Sequence, residues 1–346
     1  MTSTNLKVKA FYLGRSEKLS LHFRLNLQMR VLIILLLVPF FGISQNIKSE
    51  IETLFEQNKF TQAEKQLALY HQSKEETEVS IELLGDAYGH QRNWDKAITE
   101  YRKLVALDDS NANYHYKLGG VLGMKALEIS KLKAVGLIGE IKKSFIRAAE
   151  LDPKHVDTRW ALVELYMQLP GIIGGSKKKS LHYAHQLYEL SKVDGYLARG
   201  YIYEYDKQPK LAEENYKKAI EIGGSLNCFK ELTDFYEAQD RPNDAISTIE
   251  KSYEKHNKNA LHYQIGKVCA DYNIQLDKGE RCLKEYIKSY SAKDGVPVEW
   301  AYFRLAQISK NRLRKEEALA WIDKAIATRV DFWQAKEERQ KILELN

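Results

Sequence analysis

Residues 84–101 read Leu84-Gly-Asp-Ala-Tyr-Gly-His-Gln-Arg-Asn-Trp-Asp-Lys-Ala-Ile-Thr-Glu-Tyr101, and this stretch decides the fold. Apolar and small residues recur three and four places apart on both sides of a polar segment. That spacing predicts two helices joined by a short turn. The first helix carries Gly85 and Tyr88, and the second carries Ala97 and Tyr101. Small residues let two helices approach closely, and the large side chains fill the remaining space.

The same pattern returns along the chain. Gly200 and Tyr203 are followed by Ala212 and Tyr216, and a third copy begins at Leu232. The small position of each predicted second helix occurs eight times, at Ala63, Ala97, Ile141, Ser180, Ala212, Ala245, Gly279 and Ala318. Most of these positions follow one another at a period of about 34 residues, which is typical of stacked helix pairs. The intervals that end at Ile141, Ser180 and Ala318 are longer.

These residues resemble the tetratricopeptide repeat family over nearly all of residues 45–330. The resemblance implies an all-α fold, a right-handed superhelical α-solenoid of about eight antiparallel helix pairs with a C-terminal capping helix at 331–346. One pair cannot bury its apolar face alone, so neighbouring pairs must stack. The long intervals before Ile141 and Ser180 predict expanded repeats at 112–155 and 156–192. The second expansion contains Pro170-Gly-Ile-Ile-Gly-Gly-Ser-Lys177, which resembles a Pro-Gly-Ile-x-Gly-Gly-Ser-Lys stretch of some bacterial repeat proteins.

Residues 1–44 form a predicted export leader. Arg30 precedes about thirteen mostly apolar residues at 31–43, which matches a signal peptide and is short for a membrane-spanning helix. Met29 is an alternative start, and an uncleaved N-terminal anchor is the alternative interpretation. The leader holds six basic residues and one acid, so the remaining chain has 47 basic and 46 acidic residues. We therefore expect an exported, periplasmic or envelope-associated protein with no nucleic-acid partner.

The sequence predicts no catalysis, no cofactor and no metal. Motifs of the HExxH, GxSxG and CxxC types do not occur in the sequence. His182 and His185 lie one helical turn apart, but a zinc site needs further ligands. The three cysteines have no metal-site spacing and are interpreted as buried thiols. Glu140 and Glu164 are the carboxylates to consider if the expanded repeats were hydrolytic.

A protein or peptide partner is the predicted ligand. The resemblance places first helices along a concave groove, and aromatic residues commonly anchor interfaces. The predicted groove residues are Tyr116, Trp160, Glu164, Leu197, Tyr201, Lys230, Asp234, Tyr263 and Phe303. The alternative is that some of these belong to the core. The Lys and Asn clamp that related chaperone-binding proteins use for acidic tails is absent, since Asp234 follows Lys230.

A second predicted contact is an anion at the glycine-rich loop before Ser176, Lys177, Lys178 and Lys179. Ser176 is a predicted N-cap, and three lysines in a first helical turn make a positive site. The spacing does not match a P-loop, so a purely structural loop is the competing interpretation. A small-ligand, glycan or anion-binding module using residues 171–179 is therefore the alternative to a protein-binding scaffold.

Overall fold

A computed structural model describes residues 47–345 of the protein. This part contains seventeen α-helices and no β-strand. The helices are α1 (47–56), α2 (Phe60–Ser73), α3 (Glu78–His90), α4 (Trp94–Leu107), α5 (Ala112–Glu128), α6 (Lys131–Leu151), α7 (Val156–Gln168), α8 (Lys177–Leu190), α9 (Lys192–Tyr205), α10 (Pro209–Ile222), α11 (Leu226–Ala238), α12 (Pro242–His256), α13 (Asn259–Asp271), α14 (Leu276–Lys288), α15 (Val298–Asn311), α16 (Lys315–Thr328) and α17 (Trp333–Leu343). The predicted all-α fold of eight helix pairs and one C-terminal helix is confirmed.

The described residues fall into two compact units. The first ends at Thr158 and the second begins at Arg159, inside the first turn of α7. Within each unit, helices that follow one another in the chain pack together. The core of the second unit is made of buried aromatic, Leu, Ile and Ala side chains, as in the α9–α13 cluster around Phe235, Tyr236 and Ile249.

Helix pairs pack through small residues set against large ones. All eight predicted small positions are buried. At Gly85, an added Cβ would stand 2.7 Å from the Tyr101 ring, and at Gly200 it would stand 2.5 Å from the Tyr216 ring. Only a residue without a side chain allows the ring to approach so closely. The predicted contact between a first-helix glycine and a second-helix aromatic residue is therefore present.

The turn inside a pair has a recurrent backbone conformation. A residue with positive φ precedes the small position by five or six residues at Asn58, Arg92, Lys207, Asp240, Asn273 and Leu313. In several turns the next amide donates to a carbonyl five residues earlier, as Gln208 N does to Tyr203 O at 2.8 Å. This left-handed closure satisfies carbonyls at the end of the first helix.

The two expanded repeats differ in structure. Repeat three has lengthened helices, since α5 has 17 residues and α6 has 21. Repeat four instead gains a loop with a 3₁₀ turn at Gly171–Ile173. Gly174 has φ +95°, and a Cβ on Gly175 would stand 1.7 Å from Leu169 O, so this loop requires glycine.

The last helix packs against the preceding pair. Ala335 and Ile342 of α17 are buried, and the Glu338 carboxylate pairs with Lys310 of α15. Its capping role stays a prediction. Between residues 47 and 345, no helix has both the length and the apolar character that crossing a bilayer would require. The predicted leader lies outside the described residues.

Candidate functional site

Three first helices of the second unit surround a cavity of about 250 Å³. The helices are α7, α9 and α11, which belong to consecutive repeats. The lining residues are Trp160 and Glu164 from α7, Asp194, Leu197 and Tyr201 from α9, and Asn227 and Glu231 from α11. Four of them, Trp160, Glu164, Leu197 and Tyr201, were predicted groove residues, and the structure brings these four together.

Aromatic and aliphatic groups form one part of the cavity wall. Leu197 is buried, and the half-buried Trp160 side chain packs against the core cluster that contains Leu197. The Trp160 indole Nε1 donates to Asp194 Oδ1 at 2.9 Å, which fixes the orientation of the ring. Gln168 Nε2 donates to the Tyr201 hydroxyl at 3.2 Å. These bonds hold two aromatic rings in place before any ligand arrives.

Carboxylates form the rest of the wall. Three of the seven lining residues are acidic, namely Glu164, Asp194 and Glu231, and none of the seven is basic. Partial burial raises the pKa of Glu164, and the charge of Glu231 raises it further. Burial is also the main cause of the raised pKa of Tyr201, with Glu164 adding to the effect. The wall therefore has a negative potential.

More acidic groups lie behind and beside the cavity. The Tyr216 hydroxyl donates to Glu204 Oε2 at 2.8 Å, yet burial raises the pKa of Glu204, with Glu231 adding to the rise. Lys230 and Asp234, both predicted groove residues, do not line the cavity and instead pair with each other at 2.5 Å on exposed α11 surface. Lys230 lies 3.8 Å from Glu231 and neutralises only part of the negative charge.

Two predicted groove residues are core residues. Tyr263 packs with Tyr286 at a ring distance of 5.5 Å, and Phe303 packs with Phe332 at 5.5 Å. Both side chains are buried, at 6% and 7% exposure. The expectation that they lie open in a groove is wrong, because one residue along a helix rotates a side chain by about 100°. Tyr116 belongs to the first unit, where its ring lies 5.0 Å from His155.

The glycine-rich loop uses its polar groups internally. Ser176 Oγ accepts from Lys179 N at 3.3 Å, so the predicted N-cap is confirmed. Lys177 pairs with Asp206 and lies 5.3 Å from the Tyr203 ring centroid, while Lys179 lies 5.2 Å from that of Tyr166. Lys178 is exposed. Anion binding at this loop stays a prediction.

The predicted histidine pair and carboxylates also have local contacts. His182 Nε2 lies 2.9 Å from Gln186 Nε2, and His185 Nδ1 lies 3.9 Å from a Glu189 oxygen. Glu140 forms an ion pair with Arg102 at 2.8 Å. Within residues 47–345, no group of three or more His, Cys, Asp or Glu side chains is arranged to hold a metal ion.

Sequence reasoning missed Asp194, Asn227 and Glu231. Asp194 and Asn227 lie one helical turn before the predicted groove residues Leu197 and Lys230, and Glu231 directly follows Lys230. Polar side chains within one turn of a predicted groove position are the signal that could have found all three.

Comparisons of the sequence with family models identify tetratricopeptide repeats in the chain. A model described as TPR repeat matches residues 85–125, and a model described as tetratricopeptide repeat matches residues 193–222. These matches confirm the resemblance for those two segments. No curated protein matches the sequence.

Solved structures of tetratricopeptide repeat proteins are similar to this chain at low sequence identity. Yeast Tom70 is 16% identical, with a TM-score of 0.52, over 84% of this chain and 66% of that chain. A tetratricopeptide repeat protein from Parabacteroides merdae is 12% identical, with a TM-score of 0.48, over 87% of this chain and 99% of that one. The C-terminal part of a TPR protein from Cytophaga hutchinsonii is 14% identical, with a TM-score of 0.43, over 84% and 98%. Tetratricopeptide repeats generally mediate protein–protein interactions and are generally non-catalytic.

Proposed function

We propose that this protein is an exported, non-catalytic scaffold that binds a peptide segment of a partner protein at the α7–α9–α11 cavity. The observation that carries the proposal is the meeting of Trp160, Leu197 and Tyr201 in one cavity across consecutive first helices. Preoriented aromatic rings beside a buried aliphatic side chain are typical anchors for a partner's side chain.

The size of the cavity favours a peptide over a small ligand or glycan. Pockets for drug-sized molecules usually measure about 300–1,000 Å³, whereas this cavity measures about 250 Å³. That space suits one or two side chains of a longer segment that continues over the surface. The alternative at residues 171–179 has weaker support, because Lys177 and Lys179 already contact Asp206 and Tyr166.

The test is peptide binding with the cavity altered. Peptides are selected from a displayed random library on the protein expressed with its own leader, and their affinities are measured by fluorescence anisotropy. Trp160→Ala should weaken binding by about 2 kcal/mol, the size of an interface hot spot. Trp333→Ala is the matched control, because Trp333 is 64% exposed on α17.

A second variant separates binding from folding. Asn227 is exposed at the cavity, so Asn227→Trp fills the space without removing a core contact. The variant should keep the helical circular dichroism of the wild type and lose peptide binding. Selected peptides that bind Asn227→Trp and Trp160→Ala as tightly as the wild type would contradict the proposal.

Export is the second part of the proposal. It rests on Arg30 and the apolar stretch 31–43, and the Pro170–Lys177 stretch supports an exported bacterial subtype. We propose a periplasmic or envelope-associated location, with an uncleaved leader as the alternative. Mass spectrometry of the protein from its native host should find an N-terminus near residue 45. A mature chain that retains residues 31–43 in the membrane fraction favours the anchored form, and one that retains them in the cytosol refutes export.

A further inference from the structure

The composition of the cavity wall specifies the chemistry of what enters it. Glu164, Asp194 and Glu231 face one space, and within residues 47–345 Glu164 has no hydrogen-bond or ion-pair partner. Asp194 is already occupied by the Trp160 indole. One oxygen of Glu231 lies 3.8 Å from Lys230 Nζ, so Glu164 on α7 and the other oxygen of Glu231 on α11 remain as acceptors.

The carboxylates of Glu164 and Glu231 repel each other. Burial is the main cause of the raised pKa of Glu164 and of Glu204, and the charge of Glu231 raises both pKa values further. A positive group placed between the carboxylates would relieve this repulsion, because opposite charges at short range in a partly buried site attract strongly. An acidic or phosphorylated segment would increase the repulsion instead.

Aromatic rings add a second attraction for a cation. Trp and Tyr faces attract Lys and Arg groups within about 6 Å, and this protein already uses such contacts in the same unit. Arg199 lies 4.7 Å from the Tyr188 ring centroid, and Lys179 lies 5.2 Å from that of Tyr166. The rings of Trp160 and Tyr201 line the cavity beside the carboxylates of Glu164 and Glu231, a combination that suits a guanidinium group.

We propose that the cavity receives a basic side chain of the partner, with arginine bound more tightly than lysine. The charged group lies between Glu164 and Glu231 and against the aromatic wall, and the volume of about 250 Å³ holds one such side chain. This inference rests on the proposed function, because it specifies the residue that the same cavity recognises. A guanidinium pairs with a carboxylate through two parallel bonds and stacks on rings, whereas an ammonium does not.

Nuclear magnetic resonance of the indole N–H groups tests the inference directly. The protein has five tryptophans, and Trp160→Phe assigns the Trp160 signal by its loss. The ¹⁵N-labelled protein is titrated with four blocked amino acids: N-acetyl methylamides of arginine, lysine, citrulline and glutamate. The arginine compound should shift the Trp160 signal saturably. Lysine should bind more weakly, citrulline about tenfold more weakly than arginine, and glutamate should cause no shift.

Charge-neutral variants assign the effect to named carboxylates. Glu164→Gln and Glu231→Gln should each lower the affinity for the arginine compound about threefold to tenfold and reduce its dependence on salt. Glu254→Gln on α12 is the matched control, because Glu254 is exposed and lies outside the cavity lining. Equal binding of arginine and citrulline, or unchanged affinity in both cavity variants, would overturn the inference.

The library-selected peptides separate failure of this inference from failure of the proposed function. Peptides that lose binding to Asn227→Trp but still bind when citrulline replaces each arginine would support the cavity as the peptide-binding site. That result would refute recognition of a basic side chain. Peptides that still bind Asn227→Trp would refute the cavity as the binding site and this inference with it. Peptides that lose binding both to Asn227→Trp and when citrulline replaces arginine support the proposed binding site and the recognition of a basic side chain.

Discussion

Substitution of Gly200 by alanine tests the packing that underlies every helix pair. The new Cβ would lie 2.5, 2.6 and 2.9 Å from three atoms of the Tyr216 ring. The ring cannot move easily, because it is 2% exposed, packs 5.7 Å from Phe235 and bonds Glu204. Overpacking of this kind costs about 1–3 kcal/mol, and alanine returns about 1 kcal/mol of helix propensity. We expect a net loss of up to about 2 kcal/mol in unfolding free energy.

Urea denaturation followed by far-UV circular dichroism measures this loss. The matched control is Gly123→Ala in α5, where an added Cβ meets nothing within 4 Å. The control should be stabilised by about 1 kcal/mol through helix propensity alone. Both variants gain the same helix propensity, so Gly200→Ala should be less stable than Gly123→Ala by the overpacking cost of about 1–3 kcal/mol.

A double substitution attributes the loss to the named ring. Tyr216→Leu removes the ring atoms that the new Cβ would meet, so Gly200→Ala should cost less in that background. The expected coupling is about 1 kcal/mol or more, as for residues in direct contact. The packing argument is wrong if Gly200→Ala is as stable as Gly123→Ala, or if the two substitutions prove additive.

Three further predictions concern single sites. The pKa of Glu164 is raised in the folded protein, so ionisation of this side chain opposes folding. Glu164→Gln should therefore be more stable than the wild type at pH 7 in urea denaturation. The difference should disappear below about pH 4, where the side chains of both proteins are neutral. Gly175→Ala places its Cβ 1.7 Å from Leu169 O and should cost about 2–4 kcal/mol in urea denaturation, whereas exposed Lys178→Ala should stay within about 0.5 kcal/mol. Burial raises the pKa of Cys269 to about 12, so iodoacetamide at neutral pH should label it only in urea; labelling of the native protein at the unfolded rate would contradict this.

The candidate site was accessible to sequence reasoning only in part. Trp160 and Tyr201 were predicted because aromatic residues at repeat-equivalent positions of first helices are recognisable in a linear pattern. Tyr263 and Phe303 fit the same pattern but are buried, and nothing in the local spacing distinguishes them. Whether such a residue faces a cavity or the core depends on a rotation of the helix that neighbouring side chains decide.

The sequence by itself determined the helix pairs, their number and the small positions at which they pack. The pattern is a small residue with a large residue four places later, and it returns about every 34 residues. Such a pattern predicts stacked helix pairs that cross closely at the small residues. The tertiary structure decided where charge gathers. Glu164 and Glu231 lie two repeats apart in the chain, and their charges interact only because α7, α9 and α11 line one cavity. Their separation in the sequence does not indicate that the two carboxylates meet. The tertiary structure also decided that Lys177 forms an ion pair with Asp206, because packing and not sequence spacing brings the two charged side chains together.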